Sequence, residues 1–355
     1  MDLDSDLLDP VAARLDGAPA ELRAYARANV GEANRAWLRR HADLYVVGFS
    51  GGKDSIACVL HLLEAGIPRA RIELWHHAID PEGAPLMDWP VTWSYCVAVA
   101  EALGLPLYRS GRLGGFEREM LRDNSATAAV EWETPTGEVL TAGGQSPKRS
   151  TRRKFPQTSA DLTVRWCSAY LKIDVAKRVF ANDPRFREGH YVLVTGERAE
   201  ESTSRARYAT MERHSASNRR RRVVQWRPVH GWPESEVWAI LRRWGIVPHP
   251  AYQIGFGRVS CMSCIFGNPG QWATVRDLNP EHFARLAAYE EEFGSTIRRK
   301  ESIVQSADRG RSYLRARDHN LAAMSQRDNF EGPVIVPTDA WELPRGAYRK
   351  DSGPI

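Results

Sequence analysis

The hexapeptide Ser50-Gly51-Gly52-Lys53-Asp54-Ser55 carries the strongest chemical signal in this chain. It joins a short apolar run, LYVVGFS (44–50), to an apolar-rich stretch of helical spacing that stops at Gly66. Backbone N–H groups at a helix start, with the helix dipole behind them, bind phosphate. Two glycines let the backbone turn tightly and approach an anion with no Cβ in the way. Ser50 and Ser55 add hydroxyl donors, and Lys53 adds positive charge. The spacing is not that of the nucleotide-hydrolysing phosphate loop, G-x4-G-K-[ST], so cleavage of a terminal phosphate is not implied.

A second charged segment, TGERAEESTSR (195–205), ends another apolar run. Gly196 allows close backbone approach, Arg198 and Arg205 can fork onto phosphate oxygens, and Glu197 and Glu201 can position them or Mg²⁺. Asp80 closes the run IELWHHAI (72–79), where it suits a ribose or a metal, while His76 and His77 read as strand residues. Cys261-Met-Ser-Cys264 has the two-residue spacing with which two thiolates grip one metal. Cys58 and Cys96 fall in apolar helical patterns and read as core.

The elements that must position these groups follow from hydropathy. Strand-like runs at 44–50, 72–79, 105–111, 191–197 and 223–229 alternate with helical stretches, among them 92–103, stopped by Gly104, and 234–244, opened by Pro233. That alternation predicts an α/β fold, a doubly wound parallel sheet with helices on both faces. Ligands of such folds sit beyond the C-terminal strand ends, which puts Ser50, Asp80, Gly111 and Gly196 on one rim. Residues 1–40 read as an N-terminal helical segment and 41–275 as the nucleotide-binding domain. Within that domain 123–162, rich in Gly, Ser, Thr and Pro, reads as a long flexible loop. Residues 276–355 read as a helical to irregular tail with one amphipathic helix near 280–293.

Composition narrows the class. The 355 residues include 43% apolar and 26% charged, which excludes a disordered or fibrous chain. No apolar stretch is long enough to span a membrane, and the acidic start, MDLDSDLLDP, is not a secretory signal. Five cysteines, odd in number and well spread, do not form a disulfide framework, so a cytoplasmic protein with reduced thiols is expected. The net charge of +5 is a weak clue to a polyanionic partner; two basic clusters, Lys148–Lys154 and Arg219–Arg222, are better ones.

With SGGKDS the chain resembles the ATP pyrophosphatase (PP-loop) superfamily. RWCSAYLK (165–172), TGERAEESTSR and the run from Trp226-Arg227-Pro228-Val229 through HPAYQIGFGRVSCMSC (249–264) resemble its phosphoadenylylsulfate (PAPS) reductase-like branch. In that superfamily the loop holds the pyrophosphate of ATP, or the phosphates of a sulfonucleotide, and cleavage falls between the α- and β-phosphates. The resemblance implies Ser50 to Ser55 as phosphate ligands and ATP with Mg²⁺ as cosubstrate. Lys53, Asp54, Arg198 and Arg205 would act on the α-phosphoryl, with Asp80, Gly196 and Glu197 nearby.

Cluster-bearing relatives place adjacent cysteines where this chain has Cys167-Ser168, leaving Cys167, Cys261 and Cys264 as three ligands. Those three suit a [4Fe–4S] cluster with one open iron, a Zn²⁺ completed by His249 or water, or no metal at all. Thioredoxin- or glutaredoxin-dependent PAPS reductases use a C-terminal cysteine nucleophile, and no cysteine follows Cys264 in this sequence. The chemistry expected first is therefore adenylation of an acceptor for sulfur incorporation, as in the ATP pyrophosphatase component of DNA phosphorothioation systems. The acceptor would be a nucleic acid or a small molecule. A cysteine desulfurase or other sulfur donor would be the partner, within a homo-oligomer or a modification complex. A sulfonucleotide reductase, a sulfate adenylyltransferase subunit and a nucleotide-gated nucleic-acid-binding module are the rival expectations.

Overall fold

A computed structural model describes residue 36 and residues 38–349, apart from 84 and 260. The chain runs β1 (Leu44–Gly48), α1 (Lys53–Glu64), β2 (Ile72–Ala78), α2 (Thr92–Leu103), β3 (Leu107–Arg112), α3 (Gly115–Met120), β4 (Ala129–Glu133) and β5 (Val139–Gly143). A helical turn at Trp166–Ser168 and a π-helical turn at Ala169–Ile173 lead into α4 (Asp174–Asn182). Then come β6 (Gly189–Val194), β7 (Met211–Arg213), β8 (Arg221–Trp226), α5 (Glu234–Arg243) and α6 (Pro250–Ile254). The last four helices are α7 (Pro269–Leu278), α8 (Pro280–Phe293), α9 (Ile303–Arg309) and α10 (His319–Ser325).

The eight strands form one sheet in the order β5-β4-β3-β2-β1-β6-β8-β7. β3, β2, β1, β6 and β8 are parallel, and β4, β5 and β7 add antiparallel edges. Side-chain alternation splits the sheet into two buried faces. Tyr45, Val47, Val192 and Val194 pack on α1, α2 and α5 through Ile56, Val59, Tyr95, Val99 and Trp238. Val46, Trp75, Tyr191 and Leu193 meet Val175, Val179 and Phe180 of α4 on the other side. The expected doubly wound architecture is therefore present. The chain moves from β1 outward to β2 and β3, then returns to β6 on β1's other flank, so the switch of direction lies between β1 and β6.

Two expectations about organisation change. The stretch 123–162 is not one long loop, because β4 and β5 form a hairpin that extends the sheet. AVEWE alternates, with Val130 and Trp132 buried against α4, while VLTAG lies at the half-exposed edge. Nor does 276 open a separate tail: α7 crosses that position. Trp272, Phe283, Leu286 and Ile303 share a buried cluster with Ile79, Trp89, Phe116, Trp166 and Met262. The helices expected in 1–40 fall outside the described residues, apart from residues 36 and 38–40. Among the described residues no helix is long and apolar enough to cross a membrane.

The run Arg219–Arg222 is only partly a surface feature. Arg219 and Arg220 are exposed, but Arg221 is buried in β8. Its guanidinium donates to the carbonyls of Ala216 (2.9 Å), Phe186 (2.8 Å) and Phe180. Arg221→Met keeps the stem and strands three carbonyls, so a loss of about 2–4 kcal/mol is expected. Urea unfolding of the variant measures it, and an unchanged midpoint contradicts this role.

Candidate nucleotide-binding site

The phosphate loop leaves β1 at the switch point. Gly51 has φ +71°, and a Cβ there would come within 3.0 Å of Cys96 Sγ and 3.1 Å of Tyr95 Cδ1, so backbone conformation and packing both demand glycine. Ser55 Oγ donates to the Gly52 carbonyl at 2.9 Å and accepts from Ser50 N at 3.4 Å, folding the loop over the first turn of α1. Ser50 stays exposed at the mouth, with its Oγ 3.5 Å from that of Ser55. The start of α1 thus lies at the rim beside the Ser50 and Ser55 hydroxyls, and a helix start of this kind, with first-turn amides that have no intrahelical partner, binds anions.

The cations sit differently from the expectation. Lys53 turns inward and is only 4% exposed. Its Nζ lies 3.3 Å from Asp54 and 3.9 Å from Glu234, over the rings of Tyr252 (5.5 Å) and Trp238 (5.8 Å). Burial disfavours its charge, yet Asp54, Tyr252 and Glu234 outweigh that and hold its pKa above the ordinary value. Asp54 in turn accepts from Arg198 Nε at 2.6 Å. Burial opposes the Asp54 charge too, but Lys53 and Arg198 hold its pKa below the usual carboxylate value.

Arg198 also donates to Glu200 (2.7 Å) and to the Trp232 carbonyl (3.3 Å). Glu201 accepts from the Arg198 amide at 2.9 Å and pairs with Arg205. Glu197 lies 3.4 Å from Arg227, itself fixed by Glu212. Gly196 does allow a close approach, but to the loop: its Cβ would fall 3.0 Å from the Asp54 carbonyl carbon. In this structure Lys53, Arg198 and Arg205 each pair with a neighbouring carboxylate.

Asp80 occupies the rim beside β1. Its Oδ2 accepts from the amides of Met87 (2.7 Å) and Asp88 (2.8 Å), while Oδ1 is buried with no hydrogen-bond partner among the described residues. Burial raises its pKa to about 6 against the opposing amide bonds, and Asp88 adds to the rise. His76 donates Nδ1–H to the Phe49 carbonyl (3.0 Å), and His77 Nδ1 meets Ser110 Oγ at 2.7 Å. Burial lowers their pKa values to about 4 and about 3, so both are neutral strand residues at pH 7. Lys172 escaped the sequence reading although it closes RWCSAYLK. It is exposed, and its charge acts on His76, His77, Asp88, Cys167 and Cys261 together.

Cys167, Cys261 and Cys264 share one locale, since Cys264 influences the ionisation of both others. Burial raises the Cys167 thiol and pushes that of Cys261 well up. Among the described residues, however, no three His, Cys, Asp or Glu side chains are arranged to hold a metal ion. His249 is not a fourth ligand: Nδ1 accepts from the Ala251 amide (3.1 Å), which assigns the proton to Nε2, 3.4 Å from Thr92 Oγ1. Cys58 and Cys96 are core residues, as expected.

The raised pKa of Asp80 sets a pH dependence of stability. Its folded-state value, about 6, exceeds the ordinary 3.8, so the stability it contributes is present below 3.8 and is lost as pH rises through 6. Asp80→Asn removes that loss. The variant should gain up to about 3 kcal/mol relative to the parent between pH 4 and 7. Parallel denaturant midpoints for the two proteins across that range contradict the assignment.

Residues 144–266 match the phosphoadenosine phosphosulfate reductase domain. The chain is 33% identical over 277 residues to an uncharacterized 37.8 kDa protein in the gpa 5′ region of Escherichia phage 186, covering 74% of this chain and 78% of that protein. It is also 31% identical to the adenosine 5′-phosphosulfate reductases of Allochromatium vinosum and Burkholderia cepacia, over 98 and 71 residues. Those alignments take in 28% and 20% of this chain, and 34% and 27% of the reductases. The chain therefore belongs to one family with the phage protein, which it matches over most of both lengths, and its residues 144–266, which include RWCSAYLK, TGERAEESTSR and CMSC, are similar to the phosphoadenosine phosphosulfate reductase domain.

Proposed function

We propose that this protein binds Mg·ATP with its pyrophosphate in the Ser50–Ser55 loop and transfers the adenylyl group to an oxygen of an acceptor destined to receive sulfur. The acceptor oxygen attacks the α-phosphorus, the bond to the β-phosphate oxygen breaks, and pyrophosphate leaves with the electron pair. The terminal sulfur of a donor protein's cysteine persulfide, such as that of a cysteine desulfurase, then bonds to the acceptor as AMP departs, and a thiol reductant cleaves the remaining S–S bond, leaving sulfur on the acceptor and a disulfide on the reductant. Catalysis comes from positioning and from donors held in place beforehand. Ser50, Ser55 and the α1 amides would take the leaving pyrophosphate, and Asp80, whose Oδ1 is buried without a hydrogen-bond partner, would hold the magnesium ion that offsets its charge.

One observation carries this choice: the cradle is built of uncharged donors, its own cations being consumed inside the loop. A pyrophosphate whose charge is already offset by Mg²⁺ suits such a cradle. Sulfonucleotide reduction is the second candidate, favoured by the named relatives. It requires a ready thiolate; Cys58 and Cys96 lie in the core and burial raises Cys167 and Cys261, which leaves Cys264 as the cysteine that such a reaction would have to use.

A nucleic acid suits the acceptor's place. Arg152 lies between the rings of Trp166 and Tyr170, 4.5 Å from each, and Phe155 is buried beside it. Those two anchors hold an extended segment from which Lys148, Arg149 and Lys154 project into solvent. The segment runs over the turn that carries Cys167.

Pyrophosphate release from ATP in the presence of Mg²⁺ and candidate acceptors is the direct test. Ser50→Ala should lower kcat/KM about tenfold with an unchanged melting temperature. Sulfite formation from a sulfonucleotide with thioredoxin, and no release of pyrophosphate from ATP, selects the reductase instead. Replacing Lys148, Arg149 and Lys154 with Gln should make the salt dependence of oligonucleotide binding shallower by about 2–3 in log–log slope. An unchanged slope returns those cations to ordinary surface.

A further inference from the structure

The rim and the C-terminal segment meet at Lys53. Residues 334–349 lie along the connection from α5 to α6 with a nearly continuous set of bonds. Val336 N donates to Gly245 O (2.9 Å), Val247 N to Val334 O (2.9 Å) and Trp341 Nε1 to Ile246 O (2.7 Å). Gly346 N donates to the Tyr252 carbonyl (2.9 Å), and Arg345 donates to the carbonyls of Gln253 and Ile254, 2.8 Å each. Tyr348 N reaches Glu234 Oε1 at 3.2 Å.

Two residues gripped in this way, Tyr252 and Glu234, are among those that touch the loop lysine. Tyr252 OH accepts the Lys53 N–H at 3.0 Å, and its ring lies under the ammonium, while Glu234 faces the same ammonium. Tyr252 is 1% exposed and its ring stands edge-on to Trp238 at 5.2 Å, so its hydroxyl has little freedom to move.

We propose that Tyr252 is a positioning residue for the nucleotide loop, and that the 334–349 strap sets the loop's shape through it. The phenol occupies one first-turn donor of α1 and so fixes which amides remain to meet phosphate. Because the strap holds the Tyr252 backbone, a disturbance at the C-terminal segment is transmitted to the rim with no contact between that segment and the nucleotide. The inference rests on the nucleotide assignment above for its effect on binding, but its structural part does not.

Two readouts keep these parts separate. Tyr252→Phe keeps the ring and removes the hydroxyl. Residue-resolved hydrogen exchange should show the Lys53 amide exchanging at least tenfold faster, with the amides of Val46 and Val192 in the central strands unchanged. Calorimetry with Mg·ATP should show about three- to tenfold weaker binding, appearing in kinetics as a raised KM with kcat nearly constant. Arg345→Gln, which loosens the strap, should speed Lys53 exchange in the parent and add little in the Tyr252→Phe background. Unchanged Lys53 exchange in Tyr252→Phe overturns the proposal, as does an Arg345→Gln effect of equal size in both backgrounds. A parent protein that binds neither ATP nor a sulfonucleotide defeats the functional assignment alone, since the exchange measurement needs no ligand.

Discussion

Asp54 is one buried carboxylate between two buried cations, and the mouth of the site takes its form from that arrangement. Taken singly, each of these charges would be expelled from a low-dielectric interior at a cost of several kcal/mol. Together with Glu234 and the exposed Glu200 they satisfy one another, and removing Asp54 leaves the buried Lys53 and Arg198 without their shared carboxylate. The consequence is directional. Lys53 enters the chain at the first position of α1 and pulls that turn inward, while Arg198 draws the strand end after β6 onto it. Gly196 is required because this second segment comes so close to Asp54. The Ser50–Ser55 loop is thus the outer surface of an ion cluster, and its first turn is held by two cations, Lys53 and Arg198, that are nearly buried themselves.

Much of this organisation was legible in the sequence. The central strands and the helices α1, α2, α5 and α8 follow from hydrophobic runs and from Gly and Pro punctuation, because each element is buried on a defined face. The hairpin β4–β5 was hidden by composition. Its segment is Gly-, Ser- and Thr-rich, and only the alternation of Val130 and Trp132 within AVEWE betrays a strand that packs on one side. At the site, residue types were readable and side-chain directions were not. Lys53 and Arg198 look like phosphate ligands by type and position, and only the placement of Asp54, Glu200 and Glu234 shows where their charge is spent. Tyr252 lies far from the loop in sequence, and nothing local signals that its hydroxyl meets the Lys53 amide.

The C-terminal helices extend the same logic to the thiols. Ser263, fully buried between Cys261 and Cys264, donates its amide to the Met87 carbonyl at 3.0 Å, and its hydroxyl lies 2.8 Å from His282 Nε2 on α8. Met87 is itself fixed by Asp80. The thiol loop is therefore suspended between a rim carboxylate and a helix that sequence alone assigns to a tail. A segment with that duty cannot be an appendage, which accounts for α7, α8 and α9 sharing a core with Trp89 and Trp166.

The family match covers 144–266, whereas the phosphate loop lies nearly a hundred residues before it. Physically the two are one object. Gly196, Arg198 and Tyr252 from the matched region each contact the loop between Gly52 and Asp54, by close packing, by an ion pair and by a hydrogen bond. Substitution on either side would have to be accommodated by the other, since the contacts are buried and the charges balanced across them. A nucleotide bound at Ser50–Ser55 would be sensed within the matched region through Asp54 and Arg198. The thiols of that region share the rim through Lys172, whose charge reaches both the β2 end and Cys167. The distance in sequence between the loop and the matched region is closed by the parallel sheet, which returns β6 beside β1 and so brings Arg198 onto Asp54.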